Sequence, residues 1–150
     1  MDLSLTVNGH EVREQVEPNA LLLDFLRERL RLTGAKRSCD VQVCGSCTVL
    51  VDGRPVSACN YLALEADGRD VLTIEGFART PEFEQFEGAF VRHAALQCGY
   101  CTPGLLLTLK SLRDAGELSS EEDIRHGLDG NLCRCTGYRS ILEAARQVAG

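Results

Sequence analysis

The sequence predicts an α+β chain in two parts, a small sheet crossed by one helix in the β-grasp arrangement, then a four-helix bundle. Three observations carry this reading. Strand-type alternation of apolar and polar residues is confined to the first half. The second half shows only helical spacing. The eight cysteines divide four and four between the halves. A chain of 150 residues is long enough for one ordinary domain or two small ones. The division of the cysteines favours two, residues 1–77 and 78–150.

The elements of the first part follow in order. Leu3, Leu5 and Val7 alternate with polar residues, Asn8-Gly9 is a strong hairpin signal, and Val12 to Val16 form the return strand. A helix capped by Asn19 has Leu22, Phe25, Leu26 and Leu30 on its apolar face and stops at Gly34. Cys47 to Val51 is a strand, turned by Asp52-Gly53 into Arg54 to Ala58, and Val71 to Ile74 is the last strand after Asp67-Gly68. Glu75 to Glu82, with Gly76 and Pro81, is the expected linker.

Helices alone follow. Phe83, Phe86, Ala89, Phe90 and Ala94 recur at helical spacing, and the three phenylalanines are read as core or interface. Thr102-Pro103 is a cap and first-turn pair for a helix reaching Ala115. Ser119 with Glu122 forms a capping box for a short helix ending near Gly127. Thr136 or Tyr138 opens the last helix, with Ile141, Leu142, Ala145 and Val148 on its buried side.

The first cysteine set is Cys39, Cys44, Cys47 and Cys59, spaced C-x4-C-x2-C-x11-C. The x4-x2 run is the plant-type [2Fe–2S] ferredoxin spacing. Three thiolates on one short loop wrap a cluster while backbone N–H groups point at its sulfurs. The second set is Cys98, Cys101, Cys133 and Cys135, spaced C-x2-C-x31-C-x1-C. Each of its pairs precedes a helix start, where unpaired N–H groups and the positive dipole end suit a negatively charged tetrathiolate site. Two metal clusters are therefore expected. Disulfides, structural zinc in one or both sites, and a dithiol at Cys44-Gly45-Ser46-Cys47 are the competing readings.

Composition narrows the function. A net charge of −6 and an aromatic content of 5% disfavour a nucleic-acid surface. No run approaches the ~20 apolar residues of a membrane span. Met1-Asp2-Leu3-Ser4 has neither a basic, apolar leader nor a twin arginine, so a cytoplasmic location is expected, where thiols stay reduced. His10, His93 and His126 are isolated and are assigned no metal.

The cysteine sets, with Gln97-Cys98-Gly99-Tyr100-Cys101-Thr102-Pro103-Gly104 and Gly130-Asn131-Leu132-Cys133-Arg134-Cys135-Thr136-Gly137-Tyr138, closely resemble the small iron–sulfur subunit of the xanthine dehydrogenase/molybdenum hydroxylase family. The resemblance runs from about Leu3 to Ala149. It implies a β-grasp ferredoxin domain and a four-helix domain, each holding one [2Fe–2S] cluster on its four cysteines. It further implies a hetero-oligomer in which a large partner carries the molybdopterin cofactor and a medium partner carries FAD. This chain would then pass electrons from the first to the second without substrate chemistry of its own. By the same resemblance, Gln97 contacts the pterin, and Cys135 is both a cluster ligand and a neighbour of the pterin. A free-standing two-cluster carrier and a zinc-stapled interaction module are the alternatives.

One departure stands out. The family's first loop commonly reads Gly-Cys-Gly-x-Gly-x-Cys-Gly, whereas here it is Ser38-Cys39-Asp40-Val41-Gln42-Val43-Cys44-Gly45. Asp40 and Gln42 replace loop glycines, so a differently accommodated loop is expected. The Asp40 carboxylate is expected either to lower the potential of the first cluster or to be screened by solvent. Arg134, between two ligands, either donates charge-assisted hydrogen bonds or faces a partner acid.

Overall fold

A computed structural model describes all residues 1–150. Five strands form one mixed sheet in the order β2-β1-β5-β3-β4. β1 (Asp2–Val7) and β2 (His10–Gln15) make the expected antiparallel hairpin. β3 (Thr48–Val51) and β4 (Arg54–Ser57) make the second. β5 (Asp70–Leu72) lies between them, parallel to β1 and antiparallel to β3.

The first helix departs from its expected form. α1 spans only Leu22–Asp24 and widens into a π-type turn at Phe25–Arg29. Tertiary pairing explains the late start. The Leu22 N–H donates to the Tyr61 carbonyl at 2.7 Å and the Ala63 N–H to the Ala20 carbonyl at 2.8 Å, which holds Leu21 extended before the helix. The apolar face is nonetheless as expected, with Leu22, Leu23, Phe25 and Leu26 buried.

The expected linker is also structured. α2 (Ile74–Phe77) is one helical turn, and Phe77 is fully buried, edge-on to Phe83 at 5.3 Å and Phe86 at 5.0 Å between ring centroids. The Glu75 carboxylate accepts the Gly34 N–H and the Thr73 hydroxyl. This segment ties the halves together because its apolar and acidic groups both find partners.

α3 (Phe83–Arg92), α4 (Thr102–Asp114), α5 (Glu121–Gly127) and α6 (Arg139–Ala149) complete the chain. The cap of α5 is Ser120 rather than Ser119. Its Oγ accepts the Asp123 N–H and donates to the Asp123 carboxylate. Phe86 and Phe90 are buried, as the helical spacing predicts.

Two cores of similar size, 17 and 18 buried residues, make neither half an appendage of the other. β3 is the wall between them. Val49 and Val51 join the core of the first half while Leu50 joins that of the second, because successive strand side chains face opposite ways. No helix is long and apolar enough to cross a membrane.

Candidate metal centres

The first four cysteines are placed by the sheet. Cys39, Cys44 and Cys47 lie on the loop that enters β3, and Cys59 lies on the helical turn Ala58–Asn60 that follows β4. Pairing of β3 with β4 thus brings the fourth sulfur back to the first three. Cys47 and Cys59 are members of the first core. The second four are placed by helix starts. Cys101 is itself the N-cap of α4, one residue before the expected start, and Cys133 and Cys135 precede α6, whose N-cap is Tyr138. Cys98 and Cys135 are exposed, and Cys101 and Cys133 are half-buried.

The first loop keeps left-handed backbone at both positions where side chains replace glycine, with φ of 55° at Asp40 and 59° at Gln42. Asp tolerates this region better than most residues, and each position costs about 1–2 kcal/mol relative to ordinary backbone. Asp40 is not left to solvent alone, because Arg37 bridges it to Asp24. The curled loop turns the N–H groups of Val43 and Cys44 on Cys39 Sγ, each at 3.4 Å. The N–H groups of Val41, Val43 and Cys44 together hold the Cys39 thiol down to about 6. Burial instead pushes Cys47 and Cys101 up to about 12.

In the second set, Cys135 and Cys98 sulfurs stand 3.6 Å apart. The Tyr100 N–H and the Cys135 thiol lower the pKa of Cys98, and the same contact raises that of Cys135. Burial works to raise Cys133, but the hydroxyl and N–H of Thr136 outweigh it and hold the thiol below its ordinary value. Gln97 is exposed and donates to the Cys135 carbonyl at 3.3 Å. Arg134 is exposed.

Two contacts within the sets are direct: the Cys44 N–H donates to Cys39 Sγ, and the Cys135 thiol lies against Cys98 Sγ. Two thiolates on one tetrahedral metal, at metal–sulfur distances of about 2.3 Å, lie ~3.7 Å apart, close to the Cys98–Cys135 spacing. The one buried side-chain oxygen without a partner is Thr102 Oγ1, in the residue after Cys101. An unpaired buried hydroxyl costs about 1–3 kcal/mol.

The two sets meet across a seam that the spacing rules did not reveal. The Leu132 N–H, next to Cys133, donates to the Cys44 carbonyl at 2.9 Å. Asn131 Nδ2 donates to the Gly45 carbonyl at 3.4 Å, and Tyr100 Oη to the Arg37 carbonyl at 2.5 Å. A cavity of about 540 Å³ touches both sets, with Cys39, Cys44, Cys98, Cys101, Cys133 and Cys135 in its wall. Gly45, at φ +71°, and Gly104 make the close approach possible. A Cβ on Gly104 would fall 2.1 Å from the Gly45 oxygen.

Both halves of the chain match iron–sulfur families. Residues 5–73 match the family described as "2Fe-2S iron-sulfur cluster binding domain", and residues 73–146 match "[2Fe-2S] binding domain". The chain is 44% identical over 150 residues to caffeine dehydrogenase subunit gamma of Pseudomonas sp. (strain CBB1), covering 98% of this chain and 90% of that protein. It is 42% identical over 144 residues to a probable xanthine dehydrogenase subunit of Bacillus subtilis (strain 168), covering 96% and 83%. Its fold matches quinoline 2-oxidoreductase of Pseudomonas putida 86 with a TM-score of 0.92 at 43% identity, covering 99% of this chain and 93% of that one. The aldehyde oxidoreductase of Desulfovibrio gigas contains the same fold, at a TM-score of 0.91 and 40% identity, within a chain of which it is 17%.

Proposed function

The chain belongs to the small iron–sulfur subunits of the xanthine dehydrogenase-type molybdenum hydroxylases, and we propose from this membership the route that electrons take along it. It is the electron-transfer subunit of an oxidoreductase complex and has two [2Fe–2S]-binding domains. The finer reading is a β-grasp ferredoxin unit over residues 1–77 and a four-helix unit over residues 78–150. Bound on the eight cysteines, the clusters supply the one-electron redox chemistry that no side chain of this chain provides.

Electrons enter at the face of Gln97, Cys98 and Cys135, from a large subunit that holds a molybdopterin cofactor. The exposed position of Cys98 and Cys135 supports this. Gln97 gives one N–H to the Cys135 carbonyl and keeps a second N–H and a carbonyl oxygen for the pterin. Electrons leave from the Cys39 loop, whose Val41 and Val43 side chains are exposed for a medium subunit that holds FAD. The observation that carries the route is the Leu132 N–H bond to the Cys44 carbonyl, which joins the chain segments of the two sets directly. Eight thiols free of disulfides suit a reducing cytoplasm.

Purification of the native complex with cofactor analysis tests this reading. A large molybdopterin subunit and a flavin subunit should co-purify, and substrate should develop two distinct [2Fe–2S] EPR signals. A stable monomer that reduces a soluble acceptor would point instead to a free-standing carrier. A colourless chain with stoichiometric zinc would overturn the cluster reading altogether.

A further inference from the structure

Thr136 lies one residue after Cys135, and its Oγ1 is 3.1 Å from Cys133 Sγ. A threonine hydroxyl has a single proton. The Tyr138 N–H donates to the same oxygen at 3.2 Å, so that oxygen already serves as an acceptor on one side. The proton is left for the sulfur. The surrounding loop is fixed independently. The Cys133 N–H donates to Tyr138 Oη at 2.8 Å, and that hydroxyl donates to the Asn131 carbonyl at 3.1 Å. Tyr138 is itself left-handed, with φ of 69°, which turns its ring back over the loop. In the first half, the hydrogen bonds to Cys39 come from backbone N–H groups that no substitution other than proline removes.

We infer that Thr136 is a positioning residue that tunes the helical-half cluster: its hydroxyl donates to Cys133 Sγ and raises the reduction potential of the cluster held there. A hydrogen bond to a ligand sulfur stabilises the more negative, reduced state over the oxidised one, and this is one of the levers by which proteins set such potentials. Because the donor is a side chain, the two potentials can be set separately. The inference rests on the two-cluster reading above.

The test is an EPR-monitored redox titration of the native complex carrying wild-type chain, Thr136→Val or Thr136→Ser. The signal that disappears in a Cys101→Ser complex identifies the helical-half cluster. Thr136→Val should weaken its one-electron reduction constant about tenfold, ~59 mV. Thr136→Ser, which keeps the donor, should restore it, and the other signal should not move. An unmoved potential, an equal shift of both signals, or a serine variant as low as the valine variant would overturn the inference. If Thr136→Val fails to hold the cluster, Thr136→Ala removes the hydroxyl without added bulk. Loss of the cluster in both, with retention in Thr136→Ser, would make Thr136 a structural clamp and also overturn the tuning role. Absence of a second signal in the wild-type complex would instead refute the cluster reading, a separate outcome.

Discussion

The two halves hold four sulfurs each, yet they do so from opposite positions in their folds. In the first half, Cys44, Cys47 and Cys59 are at most 8% exposed, and two of them belong to the sheet core. In the second, Cys98 and Cys135 are exposed, and Cys101 and Cys133 lie at the edge of the bundle core. The first site is thus part of the packing that makes its half fold. The second is a surface assembled from two helix starts far apart in sequence, oriented by Tyr138 and Thr136. A site within the core favours durability, and a site at the surface favours contact with a partner's cofactor.

The largest effect should come from removing the metal. A cluster-free chain should lose cooperative thermal unfolding, because each half then brings four unligated thiols together around a small core. Circular dichroism against temperature reads this, and a sharp native-like transition would contradict it. In the isolated holo-chain, a chelator should bleach the helical-half EPR signal several times faster than the other. The reverse order would break the link between burial and retention.

The seam offers the next break. Gly104→Ala places a Cβ against the Gly45 carbonyl, backbone against backbone, and should cost about 3 kcal/mol in denaturant unfolding. Tyr138→Phe is more local. It leaves the Cys133 N–H and the Asn131 carbonyl without their partner and should cost ~2 kcal/mol, with the helical-half signal broadened and the other unchanged.

Asp40→Gly sharpens the comparison from the first half. Arg37 already offsets the Asp40 charge, so the potential of the ferredoxin-type cluster should rise by less than the ~59 mV of a tenfold change. A larger rise would mean that the carboxylate acts on the cluster despite its ion pair. The smallest effect concerns Lys110. Burial works to lower its pKa, but Asp114 and Glu82 prevail and raise it. A raised folded-state value stabilises below the unfolded 10.5 and loses that contribution as pH rises through the folded value. The melting temperature should therefore fall slightly more above pH 10.5 in wild type than in Lys110→Met.

Local signals were legible wherever a single segment carried them. The Asn8-Gly9 hairpin, the α4 start near Thr102-Pro103 and the buried face of α6 all follow from short-range rules. The late start of α1 was not legible, because backbone pairing with Tyr61 and Ala63 holds residues that Asn19 was expected to cap. Phe77 was hidden in an apparent linker, since one buried aromatic has no periodicity. The loop around Asp40 kept a left-handed backbone without glycine because Arg37 and the cysteine hydrogen bonds hold it there.

By itself, the sequence determined the count of eight cysteines, their division into sets of four, the x4-x2 spacing and the change from strand to helix halfway along the chain. These are local properties, carried by nearest neighbours and short periods. Only the tertiary structure decided that Cys98 and Cys135 meet, that β3 turns Val49 and Leu50 toward different cores, and that Leu132 reaches the Cys44 carbonyl. Each of these closes a contact between segments far apart in the chain, and such closure depends on how whole elements pack, which no window of residues contains.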